Sequence, residues 1–225
     1  MQFSQALVIR ALRNGAALVA ICFCAAAQNP PAKDNPANEI KGIPPRSTPS
    51  DYQTQAKVGN YTLAAEFMGH SVPTPEATYS TEDYVIVEAA LFGPPDSKVK
   101  ISSGDFTLRI NGKKSPLSSE PCVVVFESLK DPQWEPPAQE QKSKTSIGSG
   151  GQQQDNTPPV PPKMPMELRH VMQQRVQKSE LPEGERSLPQ DGLLFFQFHG
   201  KAKNIKSIEL VYNGPAGTAT VPLQP

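Results

Sequence analysis

The chain has 225 residues, of which 25 are Pro and 15 Gly, and only 37% are hydrophobic, so much of it cannot form core. Lys plus Arg and Asp plus Glu each number 22. The balanced charge excludes attraction of the whole molecule to nucleic acid or to an anionic surface.

Residues 1–27 read as a secretory signal. Arg10 and Arg13 make a positive start, Ala16 to Ala27 (AALVAICFCAAA) is apolar, and Ala25-Ala26-Ala27 supplies small residues ahead of a cleavage point at Gln28. This apolar stretch is shorter than the roughly 20 residues of a membrane span, so no transmembrane segment is expected after cleavage. Cys22 and Cys24 follow Ile21 and Phe23, large residues where a lipidation site has a small one. The expected location is outside the cytoplasm, periplasmic or extracellular. Cleavage leaves 20 basic and 22 acidic residues and a single cysteine, Cys122. No intramolecular disulfide is then possible, and the fold must rest on its apolar core. Cys122 opens the run CVVVF and reads as a buried, unreactive thiol.

Residues 28–57 hold six Pro and few large apolar side chains. They read as a disordered Pro-rich tether, because too little surface can be buried to offset the entropy of ordering. A single domain is expected over 58–225. In NYTLAAEF, Tyr61, Leu63, Ala65 and Phe67 alternate with other residues at the strand period. In DYVIVEAALF (83–92), Val85, Val87, Ala89 and Leu91 share one face. Tyr84, Ile86 and Phe92 on the other suggest a central strand. DFTLRING alternates Phe106, Leu108 and Ile110 with polar residues, and Asn111-Gly112 is a tight-turn signal. CVVVFESL (122–129) is rich in β-branched residues and reads as a fourth strand.

Residues 130–163 show no hydrophobic period. SIGSGG, three consecutive Gln and PPVPP mark a flexible, locally polyproline-like insert. A helix is predicted over about 165–180, with Pro165 in its first turn and Leu168, Val171, Met172 and Val176 on one stripe. GLLFFQFHG (192–200), IKSIELVY (205–212) and TATVPL (218–223) are three further strands. About seven short strands make the count of an immunoglobulin-like antiparallel sandwich. The three C-terminal strands are too few to bury a core alone. The fold class is therefore all-β, with the Pro/Gln/Gly-rich stretch inserted within one sandwich.

The stretch DYVIVEAALFGPPDSKVKISSGDFTLRING (83–112) resembles exported bacterial immunoglobulin-like domains. There, a strand rich in alternating valines leads through a loop to a second strand of the type sDFtL and a Gly-bearing turn. GLLFFQFHGKAKNIKSIELVY (192–212) is similar to a later strand pair of such domains. The resemblance implies a sandwich, export, and a binding or structural role, and it carries no catalytic residues.

Catalytic chemistry needs groups of matched pKa brought together. His70, His170 and His199 have no His or Cys partner at ligand spacing, so neither a metal nor another cofactor is expected. Glu82/Asp83 and Glu183/Glu185 lie in loop-like segments, where solvation or weak calcium binding explains them more simply than acid/base chemistry. GSGG lacks the Lys-Ser/Thr of a phosphate loop. Asn60-Tyr61-Thr62 is a formal glycosylation sequon.

Two features point to binding. From Lys163 to Lys178 the net charge is +3, through Lys163, Arg169, Arg175 and Lys178 against Glu167. Together with the apolar stripe this describes a helix that docks on a partner or an anionic membrane, or one that covers an open face of the sandwich. The second feature is Trp134, which reads either as an anchor for the insert or as an exposed contact. The residues expected at a partner contact are Trp134, Leu168, Arg169, Met172, Arg175 and Val176. The expected function is an exported non-catalytic protein with a binding or structural role and a protein partner in the cell envelope. A hydrolase-type enzyme and a carbohydrate-binding module are the alternatives. A pocket gathering several of His70, His199, Glu82 and Glu183 is the mark of the former, and a row of exposed aromatics that of the latter.

Overall fold

In the computed structural model, residues 40–135 and 163–225 are described. The signal segment, the first part of the tether and most of the insert lie outside the described residues.

Alternating residues build one large antiparallel sheet. Its strands are β1 (Thr54–Val58), β2 (Tyr61–Gly69), β5 (Tyr84–Phe92), β7 (Phe106–Ile110), β8 (Leu117–Glu120), β11 (Gln190–Gln197), β12 (Ile208–Gly214) and β13 (Gly217–Leu223). They run in the order β1-β2-β5-β11-β8-β7-β12-β13. Strands from the two sides of the insert pair directly: Val87 lies opposite Leu194, and Leu108 opposite Leu210. The sheet curls until β13 lies against β1. The side-chain amide of Gln53 brackets the backbone of Gln224, with its Nε2 donating to the carbonyl and its Oε1 accepting from the N–H, both at 3.1 Å.

The all-β expectation holds, but the seven-strand sandwich is replaced by one eight-stranded, nearly closed sheet. The reason is that β8 pairs with both β11 and β7, which joins all eight strands into one continuous ladder around a single interior. Leu63, Val85, Val87, Leu91, Phe106, Leu108, Leu194, Phe196, Leu210, Tyr212 and Val221 form one core cluster.

The central strands β5 and β11 are buried on both faces. Tyr84, Ile86, Leu193 and Phe195 point away from the interior and are covered from outside. The cover is a small sheet of β3 (Ser71–Pro73), β4 (Thr78–Thr81) and β9 (Leu129–Lys130), with α1 (Cys122–Val125) and α2 (Met166–Ser179). Two further strands, β6 (Lys98–Ile101) and β10 (Gly184–Ser187), pair with each other.

Two local expectations are corrected. CVVVFESL is not a strand: Cys122–Val125 is one helical turn followed by β9. Pro121 precedes it and has no N–H to continue a ladder. The place in the sheet is already taken by β8, whose Glu120 lies opposite Phe195. Helical spacing then buries Cys122 and Val125 together, so tertiary context overrides β propensity.

The second correction concerns the tether, which was expected to run to residue 57. Residues 40–53 lie along the outer face of the sheet, and Tyr52 is buried against Ala64, Ala90 and Phe92. One aromatic ring and one ion-pairing arginine, Arg46, fasten a stretch whose composition alone suggests no order.

Candidate functional site

Helix α2 covers the outer face of β11. Met172 and Val176 are buried against the second core cluster and cannot reach a partner, which corrects their expected role as contacts. Arg175 is held inward: its Nη1 donates to the Tyr79 hydroxyl at 3.0 Å, with Glu76 3.9 Å from Nε. Leu168 continues the buried stripe beyond the covered part of the helix and is exposed. Trp134 is half-buried in a turn, its N–H donating to the Asp131 carbonyl.

The other side of α2 forms a groove with α1. Val123, Phe126 and Glu127 line one wall, and Met166, Arg169, His170 and Gln173 the other, around about 360 Å³. The large hydrophobic side chains exposed among the described residues are Val123, Val124, Met166 and Leu168, all on these two helices. Of the expected contacts, only Arg169 lines the groove. Val123 and Met166 were missed, because the sequence reading placed the first in a strand and stopped the stripe short of the second.

A second concavity, of about 670 Å³, lies at one end of the large sheet. It is built by the β2–β3 turn (His70), the end of β4 and the β4–β5 turn (Ser80 to Asp83), and the segment after β11 (His199 to Ala202). His70, Glu82, Asp83 and His199 meet there, while Glu183 lies elsewhere, accepting from the Ser103 hydroxyl at 2.6 Å. Those Ser103 bonds hold the Glu183 carboxyl below its ordinary pKa.

The two pocket histidines differ. His70 is a staple, with Nδ1 at 2.7 Å from the Tyr84 carbonyl and Nε2 at 3.1 Å from the Gly200 carbonyl. His199 is exposed, and its Nδ1 faces Asp83 Oδ1 at 3.2 Å, which leaves Nε2 for the pocket. Glu82 pairs with Lys130 at 2.7 Å. No group of three or more metal-ligating side chains occurs among the described residues.

No family model and no curated protein matches the chain. A crystal structure of a Bacillus subtilis protein, titled a "putative lipoprotein", is similar over 75% of this chain and 37% of its own length. The sequence identity is 12% and the TM-score 0.33, a likeness that carries no argument on fold or function. Among the described residues, no helix is long and apolar enough to cross a membrane.

Cys122 lies under α2, where burial and the neighbouring Glu180 carboxylate push its thiol pKa up. The thiolate is thus disfavoured, as expected of an inert cysteine. Asn60 is exposed in the β1–β2 turn rather than within a strand.

Sequence reasoning also missed a third constellation. On the outer face of β2, β5 and β11 stand Glu66, Glu88 and Asp191, with Glu66 directly opposite Glu88 across the ladder. Glu88 and Asp191 are buried. Arg46 bridges Glu66 at 2.6 Å and Glu88 at 2.7 Å, and the Tyr52 hydroxyl donates to Asp191 Oδ2. A charged residue within an otherwise apolar central strand, as in VIVEAAL, was the available signal.

Proposed function

We propose that the protein is an exported, non-catalytic binding protein whose contact surface is the α1–α2 groove. The observation that carries this reading is the confinement of the exposed large hydrophobic side chains of the described residues to these two helices, since clustered exposed apolar surface is a mark of interaction sites. The partner is read as an apolar segment with acidic flanks, presented by another envelope protein. Val123, Phe126 and Met166 supply the apolar surface, and Arg169 supplies a positive charge on the wall opposite Glu127. Export rests on the leader-like residues 1–27.

The test is a photo-crosslinker placed at Val123 or Met166, with Thr220 on β13 as an exposed control, in cells making the full chain. The expected result is one shared adduct from both groove positions, absent at Thr220 and reduced at least tenfold by Arg169→Glu. An adduct between two copies of this chain, or none specific to the groove, would overturn the reading.

A hydrolytic reading has its own observation: His70, Glu82, Asp83 and His199 converge on one pocket, and Asp83 orients His199. In that reading His199 takes a proton from water as the water attacks an acyl carbon, and the ester's acyl–oxygen bond then breaks, the alkoxide or phenoxide leaving with that proton. Hydrolysis of p-nitrophenyl acetate should then fall more than tenfold in His199→Gln. Equal rates in the two proteins would remove this alternative. A carbohydrate-binding surface finds no support, since no aromatic is among the exposed large side chains of the described residues.

A further inference from the structure

We infer that residues 43–52 form a proton-operated strap, closed over the sheet by Arg46 and Tyr52 and released when Asp191 loses its proton. The strap has few attachments, and they converge. Gly42 lies so close to the Lys178 carbonyl oxygen that a Cβ there would stand 2.4 Å from it. The Arg46 guanidinium bridges Glu66 and Glu88, donates to the Asp51 carbonyl at 2.6 Å and lies 4.4 Å from the centre of the Tyr52 ring. The Arg46 N–H donates to the Tyr52 hydroxyl at 3.0 Å, and that hydroxyl donates to Asp191. Ile43, Pro44 and Arg46 form one side of a cavity of about 240 Å³ beside the β3–β4 turn, with Glu88 also in its wall.

Charge in this cluster is unbalanced. Three carboxyls, Glu66, Glu88 and Asp191, share one guanidinium. Asp191 is 5% exposed, and its Oδ1 has no hydrogen-bond partner among the described residues. It is faced by Tyr52 and Arg46 from the strap and by Glu88 from β5, while Glu66 of β2 engages the far side of Arg46. An ionised Asp191 in the closed strap is therefore a buried charge beside another carboxylate, with its nearest cation already engaged twice.

Burial, reinforced by the Glu88 charge and opposed by the Tyr52 hydrogen bond and Arg46, pushes Asp191 up from 3.8 to about 8. A carboxyl that holds its proton more tightly when closed favours closure fully below its ordinary pKa. That contribution is lost progressively as pH rises to the closed-state value. The window runs from about pH 4 to about pH 8, and one proton changes the opening equilibrium by up to tenfold per pH unit. Opening uncovers three carboxylates at once on the outer face of β2, β5 and β11.

The test is amide hydrogen exchange of the full chain, expressed as protection relative to the intrinsic rate at each pH. The N–H groups of Arg46, Thr48, Asp51 and Tyr52 are hydrogen-bonded within the turn that seats Arg46 and Tyr52 on the sheet, and this turn is expected to loosen when the strap is released. Their protection is expected to fall between pH 5 and 8, by up to tenfold per unit, and to level above that. Amides of the β12–β13 hairpin should show no such fall. Asp191→Asn, which carries no titrating proton, should flatten the profile. A flat wild-type profile, a fall shared equally by the β12–β13 amides, or an unchanged slope in Asp191→Asn would each overturn the inference. If Asp191→Asn does not fold, the wild-type comparison between strap and hairpin decides alone.

Discussion

Gly192→Val is expected to prevent native folding or to lower the melting temperature by more than roughly 10 °C. A Cβ at Gly192 would stand 2.4 Å from Leu181 Cα, 2.5 Å from Leu181 N and 2.8 Å from Glu180 C. All three atoms are backbone, so no side-chain rotation relieves the overlap. Overpacking a core usually costs about 1–3 kcal/mol, and moving a chain segment adds to that. The segment that must move carries the Leu181 N–H, which donates to the Leu193 carbonyl at 3.0 Å, and the start of the link from α2 to β10. Thermal unfolding followed by circular dichroism measures this. A melting temperature within a few degrees of wild type would show that the close approach is not required.

Phe196→Ala is expected to destabilise the protein by about 3–5 kcal/mol, the usual range for deleting a buried phenyl ring. Phe196 is fully buried on the interior face of β11, opposite Val85 of β5, in the cluster that also holds Leu108 and Leu210. No flexible cover lies on that side to collapse into the gap. For a chain of this size the loss corresponds to a fall in melting temperature of roughly 6–20 °C. Urea unfolding should show a lower midpoint with an unchanged slope. A loss below about 1 kcal/mol would mean that the interior repacks around the missing ring.

Strand identity was legible where one face is buried and the other is not. The alternation in β7, β12 and β13 placed Phe106, Leu210 and Val221 inward, as observed. β5 announced itself as central because both of its faces are apolar, and the structure covers both. Helix α2 was legible to within a residue or two, from Pro165 and its stripe. Strands of two to four residues, such as β3, β4, β6 and β9, are too short to show a period. The closure of the sheet was not legible, because alternation tells a strand which side is inward without saying whether the inside belongs to a sandwich or to a curled sheet.

The site was less legible for a different reason. His199 and Asp83 are 116 residues apart, and Arg46 and Glu88 are 42 apart. Each pair exists only because β5 and β11 lie side by side or because the chain before β1 folds back over them. Hydrophobic spacing carries no information about such meetings. Of the expected contacts, Met172 and Val176 proved to be core. An amphipathic stripe looks the same whether it faces its own sheet or a partner.

The meeting of β1 and β13 has a consequence for self-association. An ordinary open sheet ends in two strands whose free N–H and C=O groups can template a neighbouring molecule and propagate into fibres. Here β1 and β13 pack against each other, with no ladder between them. Each also carries a deterrent of its own, Lys57 on β1 and Pro222 on β13. Proline offers no N–H to an incoming strand, and a lysine on the rim must be desolvated before one can dock. Mutual packing, a lysine and a proline are thus three obstacles to strand addition at the ends of the large sheet.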